Sequence, residues 1–180
     1  MRVIAGTAKG VRLARVPTGT RPLSDRAREG LFSSLRDLVP DARCADLFAG
    51  TGAVGIEALS RGAARCLFVD SEPRAIRAVR ENLERAGVGE RATVVREGVG
   101  SSLEPGRGPF DLAFLDPPYA FAQDSLQDVI ARLVRLTAPG GTVALTRPSA
   151  DSTDVIPIHW AVVRLLTYGD TRILVLRETA

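Results

Sequence analysis

One histidine, one lysine and two cysteines are all this chain offers to some of the commonest protein chemistry. His159 stands alone, so a histidine-centred triad or a His-rich metal set is not expected. Cys44 and Cys66 sit far apart in apolar runs, with no CxxC pair. That argues against a zinc ribbon and a disulfide framework, and for packing in a reducing cytoplasm. No apolar run nears the roughly 18 residues of a membrane span, so no membrane is expected. The N-terminal MRVIAGTAKGVRLARVP lacks the continuous apolar core of a secretory signal. What is present is ordinary for a globular chain: 180 residues, 45% hydrophobic and 25% charged. That suits one domain, with no need of a disulfide or metal to fold.

The formal net charge of +3 is unevenly spread. Residues 1–36 hold eight basic side chains against Asp25 and Glu29, whereas the rest of the chain is mildly acidic. A basic arm on an acidic body fits a polyanion held through phosphate contacts, with a solvated basic face as the plainer alternative. Lys9, Arg12, Arg21 and Arg26 are the candidate contacts.

Val3–Ala5 and Val11–Val16 flank the turn-prone Thr7-Ala-Lys-Gly10 and predict a β-hairpin. Pro17–Pro22 is a connector, and Ser24 or Asp25 can cap a helix from Arg26 to Leu38. After Pro40, strands and helices alternate. Strands are expected at Cys44–Phe48, Arg65–Asp70, Ala92–Arg96, Asp111–Leu115 and Thr142–Thr146. Helices are expected from the glycine loop to Ser60, from Pro73 to Ala86, and over Ser125–Leu136, with Pro139-Gly-Gly141 as a turn. Trp160–Leu166 and Arg172–Leu176 read as a final antiparallel hairpin. The sum is an α/β fold with a doubly wound, mostly parallel seven-stranded sheet. Residues 1–40 form an N-terminal extension and 41–180 the main domain.

Two motifs carry chemistry. Asp46-Leu-Phe-Ala-Gly50-Thr-Gly52-Ala-Val-Gly55 follows the first main strand and opens a helix, with Asp70 ending the next strand. The spacing is that of a dinucleotide fingerprint, a weak signal alone. A pyrophosphate would suit the helix N-terminus. An acid just before the glycines suits instead the ammonium of S-adenosylmethionine. The second motif is Asp116-Pro117-Pro118-Tyr119, after the fourth strand. An exocyclic amine on a base is a poor nucleophile, because its lone pair is delocalised into the ring. Asp116 and the Pro117 carbonyl could accept its N–H bonds and localise that pair. Two prolines stiffen the corner, and Tyr119 could stack on a flipped base. Glu57, in the helix after the glycine loop, is expected to face solvent or cap a neighbour.

These segments, with Arg2–Leu13, Arg21–Phe32 and Asp46–Gly62, resemble the RsmD-like 16S ribosomal RNA guanine-N2 methyltransferases, a class I methyltransferase family. The resemblance implies S-adenosylmethionine as donor and a guanine in small-subunit rRNA as acceptor. The partner would be 16S rRNA, within the 30S subunit or an assembly intermediate, and the chain would act as a monomer. It implies Asp46, Phe48, Gly50, Gly52, Asp70, Ser71, Gly98, Val99 and Asp116 at the cofactor, and Asp116–Tyr119 at the base. Arg21, Asp25, Arg26 and Glu29 would border cofactor and RNA. Gly98 departs from the family, which places Asp or Asn there near the adenine amine. Thr146-Arg147-Pro148 replaces a more acidic segment. A DNA adenine-N6 methyltransferase and a nicotinamide-dependent oxidoreductase remain as alternatives. The first lacks room for a target-recognition domain, and the second lacks an obvious hydride-transfer dyad.

Overall fold

A computed structural model describes residues 1–14, 23–150 and 155–179. Seven strands form one sheet: β1 (Arg43–Leu47), β2 (Arg65–Asp70), β3 (Ala92–Arg96), β4 (Phe110–Leu115), β5 (Thr137–Pro148), β6 (Trp160–Tyr168) and β7 (Thr171–Glu178). Their order is β3-β2-β1-β4-β5-β7-β6. The first five run parallel and the last two join antiparallel, with β7 between β5 and β6. Among the described residues, five α-helices flank the sheet: α1 (Asp25–Ser34), α2 (Ala53–Ser60), α3 (Pro73–Ala86), α4 (Val99–Ser102) and α5 (Gln123–Val134).

Buried side chains divide into two apolar layers. One joins α1, α2 and α3 to one face of the sheet through Phe32, Ile56, Phe68 and Val79. The other joins α4 and α5 to the opposite face through Leu47, Leu115, Ile130 and Leu145. The central strands are apolar on both faces, as a covered parallel sheet requires. Helix α3 shows the opposite economy: Ala75, Ile76, Ala78, Val79 and Leu83 are buried while Arg74, Arg77 and Arg80 face outward. Pro73 opens this helix without losing a hydrogen bond, and Gly87 ends it in the left-handed region at φ 66°.

Several boundaries differ from the sequence expectation. The N-terminal hairpin is shorter than expected: an antiparallel bridge, Arg2 to Arg12, and backbone hydrogen bonds from Val3 to Val11, Gly10 to Val3 and Leu13 to Met1 join its limbs around a run of turns. The rest of its polar backbone is bonded to the body. The first helix is capped by Ser24, whose hydroxyl accepts from Ala27 N–H at 3.2 Å. It ends at Ser34, and Arg36–Leu38 tightens into a 3-10 turn. Pro139-Gly-Gly141 lies inside β5, which begins at Thr137. The extra residues are absorbed by a register shift against β4 between Phe110 and Leu112. The last helix runs Gln123–Val134, two residues earlier than expected. The four-residue α4, capped by Gly98, has no counterpart in the sequence expectation. Val16 and the Pro17–Pro22 connector lie outside the described residues.

Residues 1–14 are fastened to the body by buried polar side chains. Glu57 is fully buried and accepts from Ile4 N–H at 2.7 Å, Ala5 N–H at 3.0 Å and Arg61 Nε at 2.7 Å. Glu57 thus does cap a neighbour, but it does not face solvent. Arg28, also fully buried, approaches Glu57 at 3.9 Å and donates to Asp25 and to the Arg2 carbonyl. Ser60 accepts from Ala8 N–H and donates to the Ala5 carbonyl. Asn82 on α3 exchanges hydrogen bonds with Ala14 N–H and C=O and donates to the Thr51 carbonyl. Gly6, at φ 83°, passes so close to helix α2 that a Cβ would lie 1.8 Å from the Ser60 carbonyl oxygen.

Candidate active site

Strand order reverses between β1 and β4, whose chains next continue to opposite sides of the sheet. The crevice beyond their carboxyl ends is where an open α/β sheet binds its ligand. Three carboxylates reach that edge: Asp46 on β1, Asp70 ending β2 and Asp116 just after β4. Asp46 Oδ2 accepts from Gly55 N–H at 2.8 Å. Burial lifts its pKa to about 8, and Asp116 and Asp70 push the same way. Asp116 is likewise lifted by burial, to about 6, although the Thr146 hydroxyl donates to it and pulls it down. Asp70 binds Gly50 N–H and Glu72 N–H, each at 2.9 Å, and so ties the glycine loop to β2. Among the described residues, no basic side chain bonds any of the three.

The glycine loop is built for close approach. Phe48 adopts φ 61°, Gly50 φ 55° and Gly52 φ 74°. A Cβ on Gly50 would meet no protein atom nearer than 4.0 Å, so its backbone faces open space rather than packing. Gly55 differs: a Cβ there would come within 2.4 Å of the Phe68 ring and 2.8 Å of Cys66 Sγ. Gly55 therefore lets α2 lie against β2, as its place in the motif predicts. The Phe48 ring meets Phe121 edge-on with centroids 4.9 Å apart, bridging the loop and the corner after β4.

At that corner, Pro118 C=O accepts from Phe121 N–H at 2.8 Å. Among the described residues, no backbone N–H donates to Pro117 C=O. Tyr119 is 57% exposed, and its hydroxyl lies 3.5 Å from Thr171 Oγ1. Ser71 is exposed after β2, while Gly98 and Val99 open α4 on the far side of Asp70. The Glu97 carboxylate is held by Arg107 at 3.1 Å and 3.2 Å. Lys9, Arg12 and Arg26 are exposed, as are Asp25 and Glu29, and Arg21 lies outside the described residues. Thr146 carries no signal of its own in the sequence, where its segment stands out only for lacking acids. Glu57 and Asn82 carry no motif signal either; Glu57 has only the hint of a carboxylate inside an otherwise apolar helix.

The sheet order, the loop-forming glycines and the acids along this edge define a class I methyltransferase fold. The family model described as Conserved hypothetical protein 95 matches residues 1–177. The chain belongs to that family, the RsmD-like methyltransferases. Ribosomal RNA small subunit methyltransferase D of Escherichia coli K12 is 39% identical over 121 residues, covering 66% of this chain and 60% of that protein. The Bacillus subtilis protein YlbH is 42% identical over 123 residues, 66% of this chain and 67% of its own length. The chain thus spans about three fifths to two thirds of the length of these relatives. Among solved structures, Escherichia coli yhhF superposes with a TM-score of 0.85 at 30% identity, covering 100% of this chain and 98% of that one. A hypothetical protein of Thermus thermophilus gives 0.81 at 33% identity, over 97% and 98%.

Proposed function

We propose that this chain transfers the methyl group of S-adenosylmethionine to the exocyclic N2 amine of a guanine in small-subunit rRNA. The observation that carries the reading is the set of three carboxylates at one sheet edge, two of them driven upward in pKa, with no basic partner among the described residues. Such a set favours a cationic ligand and repels the pyrophosphate of a nicotinamide dinucleotide. S-adenosylmethionine carries an ammonium and a sulfonium, and when bound it supplies an electrophilic methyl group. The open side of Gly50 leaves room for it, and Asp46 would face its ammonium. Asp70 keeps free lone pairs for ribose hydroxyls. Phe48, Gly52, Ser71, Gly98 and Val99 would complete the cradle. With Gly98 in place of an acid and Glu97 taken by Arg107, backbone groups would bind the adenine amine.

Asp116 and the Pro117 carbonyl would accept the two N–H bonds of the guanine amine and direct its lone pair at the methyl carbon. The lone pair so directed would form the new N–C bond, the C–S pair leaving with the sulfur as a neutral thioether. Asp116, lifted to about 6 by burial, would hold the proton the nitrogen then releases. Pro118 stiffens the corner and exposed Tyr119 would stack on the base. Catalysis would rest on positioning and electrostatics, without a covalent enzyme intermediate. Residues 1–40 would contact 16S rRNA, within the 30S subunit or an assembly intermediate, through Lys9, Arg12, Arg21 and Arg26. The names of the methyltransferase D relatives support this acceptor class.

The test is methyl transfer from labelled S-adenosylmethionine to unmodified 30S subunits and to protein-free 16S rRNA, read by nucleoside mass spectrometry. N2-methylguanosine is expected. Label absent from both RNAs, or found on another base, would overturn the reading.

A further inference from the structure

Helix α3 and strand β3 enclose a shallow pocket of about 320 Å³ lined by Pro73, Ile76, Arg77, Arg80 and Arg96. Its floor is apolar and its rim holds three guanidinium groups. All three arginines are exposed, and among the described residues none forms a hydrogen bond or ion pair. Of the acids nearby, Glu81 is taken by Arg85 and Glu97 by Arg107, while exposed Glu72 and Glu84 make no ion pair with the three. Elsewhere in this chain buried or half-buried arginines do find acceptors, as Arg28, Arg61 and Arg91 show. Three unpaired guanidiniums around one depression repel each other, and an anion is what relieves the repulsion.

The place of the pocket says which anion. Arg96 is the register partner of Asp70, so the rim starts one strand, about 4.8 Å, from the acid beside the glycine loop. Side chains on β3 alternate. Val94 packs in the layer that holds α3 and Val95 in the opposite layer, which turns Arg96 towards α3. The basic N-terminal segment reaches the same helix: Asn82 pins Ala14, two residues after Arg12, to α3. The N-terminal segment and the arginine pocket thus share α3, one held on its buried face and the other open on its exposed face.

We propose that Arg77, Arg80 and Arg96 form a second RNA-contacting surface that binds backbone phosphates flanking the target base. The assignment rests on the rRNA reading above. It adds to that reading a contact site within the mildly acidic body of the chain, separate from the N-terminal segment. Phosphate contacts carry no base information; here they would fix the register of the strand whose base enters the Asp116 corner.

The experiment compares three variants of the full chain by filter binding to unmodified 16S rRNA across a salt series. One is R77A/R80A/R96A. The second, R43A/R65A/R135A, removes the same charge from exposed positions, two of them at the amino ends of β1 and β2. The third is R77K/R80K/R96K. Each phosphate contact contributes about 0.7 to the slope of log K against log salt on single strands. The first variant should flatten the slope by about 2, the second should leave it unchanged, and the lysine variant should restore most of it. In methyl transfer to 30S subunits, the first variant should raise KM for RNA with little change in kcat. Its S-adenosylmethionine affinity should match the parent. A parent slope that survives R77A/R80A/R96A, or an equal loss in both alanine variants, overturns this site alone. A parent chain with no salt-dependent RNA binding overturns the rRNA reading and the site together.

Discussion

Removing the Glu57 carboxylate should detach the N-terminal segment from the rest of the chain. In Glu57→Ala, the amides of Ile4 and Ala5 lose acceptors at 2.7 Å and 3.0 Å, and Arg61 loses one at 2.7 Å. Arg28, fully buried, loses its one carboxylate neighbour in the interior, while Asp25 remains half exposed. Burial already lowers the Arg28 pKa, and Glu57 is one of the two acids that oppose this. Breaking a buried ion pair from one side costs about 3–5 kcal/mol. Arg61 keeps 20% of its side chain in water and can rehydrate, which places the expected loss near 3 kcal/mol. In a chain of this size each kcal/mol moves Tm by about 2–4 °C, so a fall of roughly 10 °C is expected. Glu57→Gln keeps one acceptor oxygen and should lose about half as much. Urea denaturation gives the energies, and hydrogen exchange at Ile4 and Ala5 shows where the loss falls. A cost under about 1 kcal/mol in Glu57→Ala, or unchanged protection at those two amides, would refute the reasoning.

Gly6→Ala should cost about 2–4 kcal/mol, because the new Cβ would lie 1.8 Å from the Ser60 carbonyl and φ is 83°; thermal denaturation at two salt concentrations checks it. The ligand-free protein should lose stability as pH rises from about 4 towards 8. Asp46 and Asp116 hold protons more tightly when folded, to about 8 and about 6, than in the unfolded chain. A Tm series over that range should slope downward, and Asp46→Asn should flatten it; a series that rises with pH would contradict the assignment. Asp116→Ala should reduce kcat by about 10²–10⁴-fold while S-adenosylmethionine binding by calorimetry persists. Joint loss of both would mean that Asp116 holds the fold rather than the base.

The doubly wound body is legible in the sequence because its signals are local. Pro73 and Gly87 bracket α3 at the residues where it starts and stops, and the unbroken apolar run Cys66–Val69 marks β2. Gly50, Gly52 and Asp116 are legible because motif spacing reflects turn geometry. The N-terminal segment is legible only in part: its two limbs pair as the alternating apolar residues suggest, but briefly. Its other backbone groups find Glu57, Ser60 and Asn82, all more than 50 positions away. The turn expected at Pro139-Gly-Gly141 is a kink inside a longer strand: Gly140 takes φ 75°, and pairing with β4 passes from Thr137 to Thr142. The Thr146 contact with Asp116 needs the β4–β5 register, which no local pattern supplies.

The placement of β7 between β5 and β6 has a consequence for biosynthesis. A ribosome makes β6 before β7, yet β6 borders no other strand of the sheet. Until β7 emerges, the exposed Val163 and Leu165 stand on a ribbon with two open edges, and β5 lacks its outer neighbour. Such a ribbon is prone to intermolecular pairing. The half-made chain therefore passes through a sticky interval that closes only when β7 slots in and pairs with both neighbours at once. Slow codons after β6 would lengthen that interval, and holdase chaperones would be needed most there.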